Sequence, residues 1–206
     1  ATPAKAEAPK AMSKEDKKAA AKAKADAKKQ AKADAQAKAK ADAQAKKEAI
    51  EMFLTARGYK ITPHTIENSD VIFNAIYVDA LRDHDEAMAR RLRKDYLDFT
   101  IAATEFAERI SPQIFGQEVT QTLLIHANDI NADCLDEMLE RFAARGYRFV
   151  TLDEAMNDPA YKTRDTYVTA YGPTWLWRWM KSKGMDVSFK GDPETPQWVT
   201  DLFRKR

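Results

Sequence analysis

The sequence predicts a helix-dominated α/β fold with about three parallel strands, preceded by one long N-terminal helix. Three observations carry that expectation. Residues 1–48 hold 19 Ala and 14 Lys and no aromatic residue. Beyond them, apolar residues recur at helical spacing between short apolar runs. The order of these segments, helix, strand, helices, strand, helix, strand, is that of a parallel sheet connected by helices.

The first regime is low in complexity. The octapeptide AKADAQAK occupies 31–38 and again 39–46, and alanine takes every second position from Ala31 to Ala45. A period of two advances roughly 200° per step on an α-helix, so alanine is spread round the circumference and forms no apolar stripe. Ala, Lys and Gln still favour helix strongly. Ser13 and Asp16 resemble a capping arrangement, with acids in the first turn. A helix from Ser13 to about Arg57 meets no breaker before Gly58, the first glycine of the chain, and at 1.5 Å per residue would reach ~65 Å. Such an element is a spacer or a docking rod. Three segments are expected: a flexible N-terminus at 1–12, the basic helix or linker at 13–48, and the folded region at 49–206.

Charge separates the same regimes. Residues 1–48 carry 14 Lys against 7 acids, a net of +7, and the remainder carries 20 basic against 25 acidic groups, a net of −5. The formal charge of +2 therefore describes neither part. The basic segment could lie on a polyanionic surface. Nucleic acid is the weaker choice, because no Arg precedes Arg57 and no aromatic is interleaved to stack on bases. One cysteine excludes an internal disulfide and a Cys-rich metal cage. No run approaches the ~18–20 apolar residues needed to span a bilayer. The chain starts at Ala1 with Ala-Thr-Pro, an end compatible with cleavage after small residues by signal peptidase, so a periplasmic or secreted location is expected.

From residue 49 the elements follow in order. Ile50, Phe53, Leu54 and Arg57 begin a helical stripe ending at Gly58-Tyr59. Tyr59–Ile66 reads as a strand, with Pro63 placing it at an edge or a strand end. Residues 73–110 are periodic and charged, with a break near His84. Thr120–His126 (TQTLLIH) suits a buried parallel strand. Asn131 or Asp129 is expected to cap a helix running to Arg145 and closed by Gly146. Tyr147–Leu152 (YRFVTL) is the third expected strand.

Three segments, KKEAIEMFLTARGYKITPHTIENSDVIFN, QTLLIHANDINADCLDEMLERFAARGYRFVTLDEAMNDPAY and DTYVTAYGPTWLWRWMKSKG, lie in the order found in NodB-type polysaccharide deacetylases, and the chain from about Lys47 to Arg206 resembles the C-terminal half of that domain. The resemblance implies a partial (β/α) barrel and a family of metal-dependent hydrolases that remove acetyl groups from cell-wall and related glycans. His126, closing the strand TLLIH, falls on the family's last catalytic motif, where the histidine protonates the departing amine. Asp70 falls on the motif whose carboxylate pairs with that histidine. A carboxylate bonded to one imidazole nitrogen fixes the tautomer and favours imidazolium, which is sound chemistry for a proton donor. Val71 stands where the family usually has an aromatic. The family's Thr-Phe-Asp-Asp strand, its His-x-x-x-His ligands and its arginine motif have no counterpart. The chain has three histidines, His64, His84 and His126, none at that spacing. Asp26, Asp34 and Asp42 sit on the alanine-rich segment.

The expectation is therefore a non-catalytic structural or interaction subunit derived from a deacetylase, with Asp70 and His126 a vestigial pair and no cofactor. The alternative is a working deacetylase whose metal-binding half, with zinc or another divalent ion, comes from another chain or lies outside this sequence. A protein partner or a second copy would cover the open sheet edges. Trp177, on a different face from Trp175 and Trp179, is the candidate partner contact. His64 reads as a strand-end polar residue, His84 as a solvated residue at the helix break, and Cys134 as a small buried hydrophobe beside Ile130, Met138 and Phe142.

Overall fold

The computed structural model describes residues 14–169 and 172–206. Contacts divide the chain into two units, Ala1–Tyr59 and Lys60–Arg206. In the first, helix α1 (Lys14–Thr55) ends in a Schellman motif. The Gly58 N–H donates to the Thr55 carbonyl at 3.0 Å and the Tyr59 N–H to the Leu54 carbonyl at 3.1 Å. Gly58 sits at φ +79°, a conformation glycine adopts without steric cost.

The second unit is helical round a minimal sheet. Strand β1 (Ile66–Glu67) pairs in parallel with β2 (Leu123–Leu124), Ile66 opposite Leu123 and Glu67 opposite Leu124. Thr65 and Thr122 extend the pairing through side chains: the Thr122 N–H donates to Thr65 Oγ1 at 2.8 Å, and Thr122 Oγ1 donates to the Pro63 carbonyl at 2.9 Å. Helices α2 (Asp70–Arg82) and α3 (Glu86–Phe115) follow β1, and α4 (Asp129–Ala144) follows β2. The short helices α5 (Leu152–Ala155), α6 (Trp175–Ser182) and α7 (Gln197–Phe203) complete the unit, with a 3₁₀ turn at Pro159–Lys162.

The break near His84 is where the sequence places it. His84 adopts φ +55°, and Asp85 caps α3 by accepting from the Met88 N–H at 2.9 Å. Helix α3 serves two cores. Ala89, Leu92, Tyr96 and Leu97 pack with α2, α4 and Val199 of α7. Phe106, Ala107, Ile110 and Ile114 pack with Ile66 and with Leu176, Trp179 and Met180 of α6. Pro112 lies inside α3 and brings no N–H for the Glu108 carbonyl. The buried Ser111 hydroxyl donates to that carbonyl at 3.4 Å instead.

Four expectations need correction: the strand number, the barrel, the extent of the first strand and the cap of α4. Among the described residues the sheet has two strands rather than three, and no barrel is formed. Residues 147–151 join no ladder, and Thr151 forms a capping box instead: its hydroxyl accepts from the Glu154 N–H, and Glu154 Oε2 accepts from the Thr151 N–H at 2.8 Å. Of the expected strand Tyr59–Ile66, only Ile66 enters the ladder, and Pro63 with its fixed φ lies in the irregular approach. Helix α4 starts at Asp129 and is capped by Asn128 rather than by Asp129 or Asn131. It ends as expected at Gly146, φ +85°, in a second Schellman motif whose ring contact is Phe142 against Tyr147 at 5.1 Å.

Candidate functional site

Asp70 and His126 meet at the C-terminal side of the two-strand sheet. Asp70 opens α2, three residues past the end of β1, and His126 lies two residues past the end of β2. Parallel pairing of β1 with β2 brings these two exits together, across 56 positions of sequence. Ser69, between β1 and α2, takes φ +54° and turns the chain sharply enough to aim the Asp70 carboxylate at β2's exit. Thr195 Oγ1 donates to Ser69 Oγ at 2.9 Å and ties this turn to the approach to α7.

The carboxylate is 2% exposed, and both its oxygens are committed. Oδ1 lies 2.9 Å from His126 Nδ1. Oδ2 accepts from the His126 backbone N–H at 2.7 Å, from Asn131 Nδ2 at 2.7 Å and from Asn128 Nδ2 at 3.3 Å. An ionised carboxylate buried without donors costs several kcal/mol, and this set of four stabilises the charge in place. The imidazole is 54% exposed. With Nδ1 turned to Asp70, Nε2 is the nitrogen left to exchange protons with anything bound above it.

Glu67 stands beside this pair. Desolvation raises its carboxyl above the usual range, the Ser69 N–H at 2.9 Å opposes that rise, and the Asp70 charge adds to it. Behind Asp70 a polar chain runs into the core. Asn68 Nδ2 donates to the Tyr96 hydroxyl at 2.7 Å, and Tyr96 donates to Asn131 Oδ1. Burial holds the Tyr96 phenol well above its ordinary pKa, so it keeps its proton and acts as a donor. Sequence reasoning reached Asp70 and His126 but gave no role at the site to Asn68, Tyr96, Asn128 and Asn131. The signal for Asn128 and Asn131 was the density of Asn and Asp directly after His126 (HANDIN), legible as capping and not as carboxylate support, and Asn68 and Tyr96 carried none.

The remaining candidates lie elsewhere. Trp177 is half-buried among rings of its own chain, edge-on to Tyr167 at 5.0 Å and to Phe189 at 6.4 Å, with the Lys181 ammonium 4.9 Å over its face. Trp179 is 1% exposed and packs edge-on to Phe115 and Tyr161. His64 meets Trp175 at 5.2 Å, and its buried Nε2 has no hydrogen-bond partner. Burial, with the Arg178 charge, lowers its pKa below the ordinary histidine value. His84 is exposed. Cys134 is 1% exposed, and burial pushes its thiol up to about 11, which makes it a poor nucleophile.

The divalent ion implied by the resemblance needs three or four converging ligands. Among the described residues no three His, Cys, Asp or Glu side chains are placed to hold one. Asp70 and His126 are bonded to each other, so these residues do not fit a metal. Comparison with known protein families, with characterised proteins and with solved structures finds no match. No helix among the described residues is long and apolar enough to cross a membrane.

Proposed function

We propose that the chain supplies the proton-transfer half of a polysaccharide-deacetylase-like hydrolytic site in a periplasmic or secreted assembly, with His126 Nε2 as the general acid or base and Asp70 as the group that orients it. One observation carries the reading: a fully committed, buried carboxylate behind a half-exposed imidazole. The carboxylate holds the Nδ1 edge of the ring, so a proton passed to a leaving amine would leave from Nε2. Groups that activate water would have to come from outside the described residues, and no step is assigned to them.

The test uses the native assembly recovered through this chain, with acetate release from N-acetylated glucosamine oligomers as the readout. His126→Gln and Asp70→Asn should each lower release by about 100-fold or more, the range removed with a general acid or base, without loss of assembly. Unchanged release in both variants, or no release by the wild-type assembly, overturns the proposal.

A second reading makes the chain a non-catalytic subunit docked on a partner protein. It is favoured by the apolar side chains left in solvent next to the sheet and beyond α4, with Leu124 and Ile125 each 37% exposed, Leu152 51% and Phe149 55%. It predicts that Phe149→Asp dissociates the assembly while His126→Gln changes nothing. Trp177→Ala should then matter less than Phe149→Asp, because Trp177 already spends much of its surface on Tyr167 and Phe189.

A further inference from the structure

The geometry points to Asn131, backed by Tyr96, as positioning residues that dictate which oxygen of Asp70 faces the imidazole and so hold His126 in its Nδ1–H tautomer. The inference rests on the proton-transfer reading of His126 and adds to it the device that sets the proton's place.

Asn131 contacts both members of the pair at once. Its Nδ2 donates to Asp70 Oδ2 at 2.7 Å and to the His126 carbonyl at 2.9 Å, fixing the carboxylate and the backbone of its partner in one frame. Together with the His126 N–H, it places the strong donors on Oδ2 and leaves Oδ1 for the ring at 2.9 Å. A carboxylate not pinned in this way could turn about its terminal torsion, which is broad and roughly two-fold.

The amide of Asn131 is itself directional. Turned over, it would present its oxygen to the Asp70 carboxylate. Tyr96 opposes this by donating its hydroxyl proton to Asn131 Oδ1. The Tyr96 oxygen accepts from Asn68 Nδ2 at 2.7 Å, which leaves its one proton for Asn131 Oδ1. Donation thus runs one way, from Asn68 through Tyr96 and Asn131 to Asp70, every step between groups that are 4% exposed or less. An ordered series of this kind ends by demanding an acceptor at Asp70 and a donor at the ring, which is the Nδ1–H form. Asp70 is in direct contact with this ring, and Glu67 interacts with it electrostatically.

The experiment reads the His126 ring by ¹⁵N and ¹H NMR on the full chain with no substrate, above the pH of ring titration. The wild type should show a protected Nδ1–H and an unprotonated Nε2. Asn131→Leu keeps a similar volume and removes both donations; the protected Nδ1–H signal should be lost and the ring return towards the Nε2–H form that free histidine favours in water. Tyr96→Phe deletes one oxygen and should quicken Nδ1–H exchange about tenfold, the weight of one hydrogen bond. If Asn131→Leu fails to fold, Tyr96→Phe decides. An Nε2–H wild type, or a tautomer and exchange rate unmoved in the folded variants, overturns the inference. Because no glycan is present, a silent acetate assay with a fixed Nδ1–H would sink the proposed function and spare this inference, and the reverse pair of results would do the opposite.

Discussion

Replacing Asp70 by alanine and by asparagine separates the charge of the carboxylate from its shape. In Asp70→Ala the His126 N–H and an Asn131 Nδ2 proton lose their acceptor inside the protein, while the His126 ring, 54% exposed, can turn to water. Two buried donors left unpaired at 1–3 kcal/mol each give a loss of about 4 kcal/mol. In Asp70→Asn the side-chain oxygen can take the Oδ2 position and keep those donors, and the new amide nitrogen faces His126 Nδ1, which must then become the acceptor. Bonds that were charge-assisted become neutral, a loss of about 2 kcal/mol. All four tryptophans lie in 60–206, so urea unfolding followed by tryptophan fluorescence reports that unit. With m between ~1 and 3 kcal/mol/M, the alanine variant should move the midpoint by roughly 1.3–4 M at constant m. Equal losses in the two variants, or losses under about 0.5 kcal/mol in both, would refute the account of Asp70 as a charge held by converging donors.

Further outcomes follow from single contacts. Trp179→Ala, which empties a site between Phe115, Tyr161 and α3, should cost about 3–5 kcal/mol by the same assay. Arg178→Ala takes away the cation paired with Asp165, whose side chain is 10% exposed and accepts the Arg178 Nε–H at 2.8 Å, and should destabilise by about 3 kcal/mol. Gly146→Ala meets no neighbour within 4 Å, so its cost of about 1–2 kcal/mol is the left-handed backbone alone, checked by the shift in melting temperature. Burial lowers the His64 pKa from 6.5. The unfolded chain therefore takes up that proton first, and the contribution of His64 to stability is whole above about pH 6.5 and lost as pH falls through its folded value. His64→Gln should flatten the acid side of the stability–pH curve, and an unchanged slope would exclude this role.

The legible parts of the fold were those written in local chemistry. Gly146 after an apolar series at 130, 134, 138 and 142 marked the end of α4, and the helix break at His84 was visible as a charged interruption between two periodic runs. Strand length was not legible. TQTLLIH and YRFVTL have strand composition, but a ladder needs a neighbour, and only Leu123 and Leu124 find one. At Thr151 the capping chemistry with Glu154 prevails over β propensity, since it satisfies donors locally. The pairing of Asp70 with His126 came from the order of motifs. Its support by Asn131 and Tyr96 came from neither motif nor period, because it depends on the approach of α3 to α4, which no spacing within one segment encodes.

Because α3 belongs to both apolar clusters, the second unit has no internal seam along which one cluster could open and leave the other intact. A helix of 30 residues, about 45 Å long, would have to fray from one end past Tyr96 or from the other past Ile110 before either cluster was released. Amide hydrogen exchange along Leu92–Ile110 should accordingly report one shared protection factor, with α2, α4 and α6 surrendering their slowest protons in the same event.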